Sequence, residues 1–149
     1  MRPRILAITA AALVSSTAHA GDLVTKNSPY SVSETVDRLQ AAVEGAGAKV
    51  FARVDHAAGA HSVDAELRPT VMLMFGNPKL GTPALQLSQS SGLDLPLRVV
   101  VYETEAGDVI LAYHPPSDLA EDHGIPADAE VLAKMTGALE ALTGKAIAQ

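Results

Sequence analysis

Hydrophobic residues recur with helical spacing in two segments of the chain. In SVSETVDRLQAAVEGAG, residues 31–47, apolar positions follow one another at steps of four, three and four, which places them on one helical face. Ser31 and Glu34 have the spacing of a capping box, and Gly45 or Gly47 suits a left-handed helix end. The final segment, PADAEVLAKMTGALEALTG, predicts a second helix. The two apolar stripes are Val32, Val36, Leu39 and Val43, and Val131, Met135, Leu139 and Leu142.

Other segments have the hydrophobic patterns of strands. Residues 21–30 form a short strand that ends at a Ser-Pro break, and residues 48–56 alternate as a half-buried strand does. Residues 69–76, PTVMLMFG, are continuously apolar and predict a central strand with both faces covered. Residues 95–114 predict two strands around a Glu-Ala-Gly-Asp turn, which indicates a hairpin. One face of the alternating strand is predicted to hold Val50, Ala52 and Val54.

Two shorter helical segments complete the predicted order. Residues 57–67 indicate a helical turn, and residues 82–92 a short helix capped by Thr82 with Pro83 at its first position. Hairpin-joined strands imply mainly antiparallel pairing. We therefore expect an α+β fold with a mostly antiparallel sheet of four to five strands. Two main helices pack on one face of it, in the order β-α-β-β-(short α)-β-β-α.

The first twenty residues have the pattern of a secretory signal peptide. Arg2 and Arg4 precede an apolar stretch at residues 5–14, and Ala18-His19-Ala20 resembles a cleavage site. The stretch is ten residues long, well short of the ~20 that span a bilayer. We expect cleavage after Ala20 and a periplasmic or secreted product without membrane insertion. Residues 21–149 then form a single α+β domain.

Charge and composition narrow the classes of partner. The formal net charge of −6 becomes −8 once the two leader arginines are removed, which disfavours nucleic acid as a partner. Only five aromatic residues are present, too few for a platform that stacks single-stranded bases. The chain has no cysteine, so disulfides, thiolate metal sites and thiol nucleophiles are excluded.

The glycine and proline residues between 76 and 83 resemble a phosphate-binding loop. Gly76 and Gly81 have the G-x-x-x-x-G spacing, but Thr82 and Pro83 stand where a P-loop needs Lys and Ser/Thr. The segment is therefore not a Walker motif. Its simplest role is to reverse the chain between strand and helix. An alternative is that free N–H groups at the Thr82 helix start hold a small anion.

The histidines provide two further alternatives. His56 with His61 or His114 could bind Zn or Cu if the strand ends converge, since imidazole suits both metals. His56 with Asp55 as an orienting partner could serve a small hydrolase or isomerase, which requires a perturbed His56 in a closed cleft. There is no G-x-S-x-G nucleophile elbow. The sequence contains no complete catalytic arrangement that we can identify. We therefore favour a non-enzymatic module that binds a small ligand or a protein and has no cofactor.

Several short motifs are spread over the chain from about Tyr30 to the last helix. They are Asp55-His56, Arg68-Pro69-Thr70, Phe75-Gly76-Asn77-Pro78, Gly81-Thr82-Pro83, Leu95-Pro96 and Tyr113. Together these motifs resemble the bacterial family known as domain of unknown function 302. The resemblance implies a compact α+β fold similar to the TATA-binding-protein architecture, often as dimers, and it implies no activity.

The residues of these motifs suggest one shallow ligand site. The strand ends and the last residue of the hairpin are predicted to meet at one edge of the sheet. The candidate ligand-binding residues are Asp55, His56, Asn77, Thr82 and Tyr113. A homodimer is the further expectation, because residues 69–76 are apolar on both faces: either the helix at 82–92 or a second subunit covers the second face.

Overall fold

A computed structural model describes residues 23–149; residues 1–20, the predicted signal peptide, lie outside the described residues. In chain order the elements are β1 (Val24–Ser28), α1 (Val32–Gly45), β2 (Lys49–Asp55), α2 (His56–His61), β3 (Thr70–Gly76), α3 (Pro78–Leu87), a 3-10 turn (Gln89–Leu93), β4 (Leu97–Glu103), β5 (Val109–Tyr113), α4 (Asp118–His123) and α5 (Glu130–Ile147). None of the helices in this part of the chain has both the length and the hydrophobicity of a bilayer span.

The five strands form one antiparallel sheet in the order β1-β5-β4-β3-β2. Strands β4 and β5 are joined by the predicted hairpin turn, in which Gly107 has φ 87°. Glycine adopts this conformation at no steric cost, whereas other residues are strained there. The predicted α+β class, the antiparallel pairing and the hairpin are confirmed.

Helices α1 and α5 pack against each other and cover one face of the sheet. The predicted cap of α1 is present, because the Ser31 hydroxyl accepts a hydrogen bond from the Glu34 N–H at 3.2 Å. Gly47 follows the helix with φ 72°, as a left-handed helix end requires. Both predicted apolar stripes are buried: Val32, Val36, Leu39 and Val43 on α1, and Val131, Met135, Leu139 and Leu142 on α5.

Only one face of β3 is fully buried. Leu73 and Phe75 are 0% and 1% exposed on the helix-covered face, whereas Met72 and Met74 on the opposite face are only half-buried. Helix α3 packs mainly against α5 and the 3-10 turn. It therefore does not cover the second face of β3, which was one of the two predicted alternatives. The predicted inner position of β3 is confirmed, because it pairs with both β2 and β4. The prediction that both of its faces are covered is corrected, since the second face is apolar and is not packed by α1, α3 or α5.

A β-bulge interrupts the alternation predicted for β2. Val50 pairs with Phe75, and the next paired residue, Ala52, is opposite Met74, which leaves Phe51 as the extra residue. One extra residue on a strand reverses the faces of the residues that follow it. Val50 therefore points toward the helices while Ala52 points to the second face, so they do not share a face as predicted.

Helix α3 begins five residues earlier than predicted. Asn77 caps it and Pro78 occupies its first position, a combination as favourable as the predicted Thr82–Pro83 start. Pro83 instead lies inside the helix on its exposed side. Because that side faces solvent, the carbonyl that loses its N–H partner remains open to water, which lowers the cost of an internal proline.

Candidate functional site

The residues of the predicted ligand site lie in separate places. Asp55 and His56 are at the end of β2, where Asp55 Oδ1 accepts a hydrogen bond from the Ala58 N–H at 2.9 Å and so caps α2. Asn77 follows the opposite end of β3. Because Asp55 pairs with Val71, the strand rise puts Asn77 about 20 Å further along the sheet. These residues cannot surround one small ligand.

Tyr113 is not available to a surface ligand either. It is 4% exposed and belongs to the main hydrophobic cluster between the sheet, α1 and α5, and its burial raises the pKa of its hydroxyl. Thr82 lies within α3 and, with Asn77, lines a groove beside that helix. The structure therefore brings together two of the five predicted residues and leaves the other three outside the groove.

The predicted anion site at a Thr82 helix start is not present. The first-turn N–H groups of α3 belong to residues nearer Asn77, and they are already bonded. Lys79 N–H donates to the Asn77 side chain at 3.0 Å, and the Leu80 and Gly81 N–H groups donate to its carbonyl at 2.8 and 2.9 Å. Asn77 thus serves as a helix cap, and Thr82 lies where no free helix start exists.

The histidines do not converge on a metal site. His56 and His61 are the first and last residues of α2, and both are exposed, while His114 follows β5 and lies 3.3 Å from Asp118. Within residues 23–149, no group of three His, Asp or Glu side chains is placed to hold a metal ion. The hydrolase alternative also lacks its geometry, because the Asp55 carboxylate caps α2 and the His56 side chain is exposed at the start of that helix.

An apolar groove of about 660 Å³ lies between helices α3 and α5 and is here called the α3–α5 groove. Helix α5 forms one side, and α3 with the β3–α3 corner forms the other. The groove is lined by Ala46, Ala48, Phe51, Phe75, Gly76, Asn77, Pro78, Lys79, Leu80, Gly81, Thr82, Leu85, Leu95, Pro96, Leu97, Lys134, Met135, Ala138, Ala141, Leu142 and Lys145. Its size lies within the ~300–1,000 Å³ typical of small-molecule sites.

Small residues line part of the groove on both of its sides. On α5, Ala138 and Ala141 line it, and on the opposite side Gly76 has only Pro96 and Phe51 side-chain atoms near the position of an added Cβ, at 3.5 and 3.6 Å. The bulge in β2 turns Phe51 toward this edge, where it is 49% exposed. The small residues therefore leave room along this part of the lining, and the half-exposed Phe51 ring lies beside it.

A cluster of polar side chains that the sequence did not reveal joins the 3-10 turn to α4. His123 Nε2 lies 2.7 Å from Asp94 Oδ2, and His123 Nδ1 lies 3.0 Å from Ser90 Oγ. Arg98 donates to the other Asp94 oxygen at 2.7 Å. The hydrogen bond from His123, assisted by the Arg98 charge, lowers the pKa of Asp94. Residues 118–123 form helix α4, and the His123 side chain at its end is 6% exposed.

This Ser90–His123–Asp94 cluster has the order of partners found in serine hydrolases, but it lacks a place for a substrate. The adjoining cleft, which Asp94 and Arg98 line, has a volume of about 90 Å³, far below the size of typical ligand sites. The cluster therefore has a structural role, in which it connects the 3-10 turn to α4, and it is called the tie between these two elements. No spacing rule would have found it, because its members lie 33 and 29 residues apart in sequence.

The chain matches a family model over most of its described residues. Residues 24–142, nearly all of the described part, match the family described as domain of unknown function DUF302. The chain belongs to the DUF302 family. The resemblance drawn from the short motifs is thereby confirmed.

Curated relatives contain a similar segment as one part of a longer protein. The chain is 42% identical over 117 residues to a protein named fluoride-specific ion channel FluC 1 from Brucella suis biovar 1 (strain 1330), over 77% of this chain and 46% of the relative. A protein named fluoride-specific ion channel FluC 2 from Brucella melitensis biotype 1 is also 42% identical over 117 residues, 43% of its length. The chain thus spans less than half the length of these relatives.

A solved structure has the same fold. The crystal structure of an uncharacterized conserved DUF302 protein from Bacillus stearothermophilus superimposes with a TM-score of 0.75 over 83% of this chain and 97% of that chain. The two sequences are 22% identical over the matched region. At this level of identity the similarity establishes the architecture, and function has to be argued from the groove itself.

Proposed function

We propose that this domain is a non-enzymatic binding module that takes a small, largely apolar molecule into the α3–α5 groove. The observation that carries the proposal is the groove of about 660 Å³ with a predominantly apolar lining. Such a concavity, with a few polar groups at its edge, is the usual form of a small-molecule site. An apolar ligand gains free energy by leaving water, and the preformed groove spares the protein the cost of opening a site.

The polar groups of the groove support binding over catalysis. Asn77 is occupied as the cap of α3, and Thr82 is a neutral hydroxyl without a histidine or carboxylate in the same lining. A nucleophile needs an adjacent base within hydrogen-bond reach. The arrangement is therefore suited to hold a molecule, and among the described residues the lining places no histidine or carboxylate beside Thr82 to activate its hydroxyl.

The leader sequence extends the proposal to location: the module acts after export, in the periplasm or outside the cell. The basic start, the apolar stretch and the Ala-His-Ala site support this. Mass spectrometry of the periplasmic fraction should detect a chain that begins at Gly21. An intact Met1 on a cytosolic protein would contradict the export.

The groove is tested by filling it. Ala138 lines the groove from α5, whereas Ala133 lies exposed on the same helix outside the groove, so Ala138→Trp and Ala133→Trp form a matched pair. We expect the neutral fluorescent probe N-phenyl-1-naphthylamine to bind the wild-type protein saturably. Ala138→Trp should weaken this binding about tenfold or more, while Ala133→Trp stays within about twofold, since only the former removes buried apolar contact.

Circular dichroism and thermal unfolding establish that both variants keep the fold. The proposal fails if the wild-type protein shows no saturable binding of the probe. It also fails if the folded Ala138→Trp variant binds the probe as tightly as the Ala133→Trp variant, because the probe would then occupy another surface.

A further inference from the structure

Positive charge is concentrated at the α3–α5 groove of an otherwise acidic protein. Three of the nine lysines and arginines within residues 23–149 line it, namely Lys79, Lys134 and Lys145. Among the described residues, no Asp or Glu belongs to the lining. The full chain has a formal net charge of −6, so most of the surface repels anions. The local excess of positive charge therefore distinguishes the groove from the rest of the surface.

The sequence of α5 explains how apolar and charged positions come to share one side of the groove. Lys134, Ala138, Ala141 and Lys145 follow one another at steps of four, three and four, so they lie along one helical face. The two lysines are about 16 Å apart along the helix axis at 1.5 Å per residue. Small apolar residues thus lie between them, with an ammonium group at each end.

The three lysines differ in whether their ammonium group is already paired with a carboxylate. Lys134 Nζ lies 2.9 Å from the Glu130 carboxylate in an exposed i,i+4 pair. Within residues 23–149, the ammonium groups of Lys79 and Lys145 make no ion pair. Long lysine stems can lie along apolar surface while the charged head stays in water. Lys79 and Lys145 are therefore the groups suited to meet an anionic head at the mouth of the groove.

From this geometry we infer that the ligand of the α3–α5 groove is an amphipathic anion: a hydrocarbon chain with a single carboxylate, phosphate or sulfonate head. This inference rests on the proposed function, and it adds the charge of the ligand. The chain lies against the alanines of α5 and the apolar residues opposite, and the head lies beside Lys79 or Lys145. The head of a cationic amphiphile of the same length would meet like charge at Lys79 and Lys145.

Displacement of N-phenyl-1-naphthylamine by three matched amphiphiles tests the inference: dodecanoate, dodecanol and dodecyltrimethylammonium. We expect dodecanoate to bind about tenfold more tightly than dodecyltrimethylammonium, with an advantage that shrinks at high salt because exposed charges are screened. A decanoate-to-dodecanoate comparison should show an affinity gain of about fourfold per methylene, as burial of the chain requires.

Two substitutions assign the head group to the lysines. The double variant Lys79→Gln/Lys145→Gln should weaken dodecanoate binding about tenfold and leave dodecanol within about twofold. Arg68→Gln is the control for lost positive charge, because Arg68 lies at the opposite end of β3 and bonds the Glu103 carbonyl; it should change neither affinity.

The outcomes separate the two proposals. If the probe binds in the groove but the three amphiphiles bind equally, the amphipathic-anion inference is refuted and the binding module stands. If dodecanoate is preferred but the lysine variant keeps the full preference, the head group lies elsewhere and the inference is likewise refuted. Absence of probe binding refutes the proposed function itself.

Discussion

Replacing Asp94 by Asn tests the tie between the 3-10 turn and α4. The Asp94 carboxylate accepts hydrogen bonds from His123 and Arg98, each at 2.7 Å. The His123 side chain is 6% exposed, so it depends on Asp94 and Ser90 as its polar partners. Asparagine keeps the shape and can still accept one hydrogen bond, but it removes the negative charge from both contacts.

The size of the effect follows from the two contacts. A hydrogen bond to a charged group contributes about 1.5–3 kcal/mol and a neutral one about 0.5–1.5 kcal/mol, so the loss at His123 is about 1 kcal/mol. The Asp94 and Arg98 side chains are each 40% exposed, and an exposed ion pair contributes only about 0.2–1 kcal/mol. We expect Asp94→Asn to lower the free energy of unfolding by about 1–2 kcal/mol at pH 7.

The pH dependence has a definite sign. The pKa of Asp94 is lowered in the folded protein from its ordinary value of 3.8, first by the His123 hydrogen bond and then by the Arg98 charge. A carboxylate with a lowered folded pKa stabilises the protein above its unfolded pKa, and that stabilisation is lost as the pH falls through the folded value. The difference between wild type and Asp94→Asn should therefore shrink as the pH falls below about 4.

Urea unfolding followed by circular dichroism, repeated from pH 7 to pH 3, measures both the size and the pH profile. Asp108→Asn is the matched control, because Asp108 lies exposed in the hairpin turn and its carboxylate makes no hydrogen bond or ion pair within the described residues. Equal unfolding midpoints for the two variants at pH 7 would refute the role of the tie. A loss that stays the same at pH 3 would show that the carboxylate charge is not its cause.

Two further predictions concern the sheet. Leu73→Ala should lower the free energy of unfolding by about 2–5 kcal/mol in urea titrations, because Leu73 is fully buried under α1 and its removal leaves a cavity; a loss below about 1 kcal/mol would contradict this packing. The half-buried apolar second face predicts a homodimer, so light scattering at micromolar concentration should give a dimer for wild type and a monomer for Met74→Lys. A monomeric wild type would leave that face without the expected partner.

The elements predicted most accurately were those whose signals were local and redundant. For α1, the Ser31–Glu34 cap, the apolar stripe and the Gly47 end all agree, and each is present in the structure. The β4–β5 hairpin likewise had a turn signal between two apolar strands. When independent local signals agree, the sequence leaves few alternatives, and tertiary contacts do not have to choose among them.

The start of α3 shows where local signals were ambiguous. Asn77-Pro78 and Thr82-Pro83 both have the form of a cap followed by proline at the first helical position. What selects the earlier start is packing, because Leu80 and Ala84 then lie one helical turn apart and both contact the smaller hydrophobic cluster around Met135. That cluster joins α3 to α5 across some fifty residues of sequence, a distance over which patterns give no information.

The residues of the predicted ligand site lie apart for a related reason. Asp55 and Asn77 both follow strands, and strand ends often carry ligand-binding residues, but β2 and β3 are antiparallel neighbours. In an antiparallel pair, the carboxyl ends of consecutive strands lie at opposite edges of the sheet. The two residues serve the same local purpose, capping α2 and α3. Their side chains were correctly identified as special, but their role is in the backbone turns.

The position of the groove between two hydrophobic clusters explains why binding and stability can be tested separately. Phe75 and Leu142 belong to the main cluster with the sheet, whereas Met135 belongs to the smaller cluster that holds α3 and α4. The walls of the groove are thus anchored to different cores, which Leu97 connects. A change that shifts α3 alters the width of the groove while leaving the contacts between α1 and the sheet intact. A bound chain would bridge both clusters, and so it should stabilise α3 more than the sheet, an effect that hydrogen exchange can measure helix by helix.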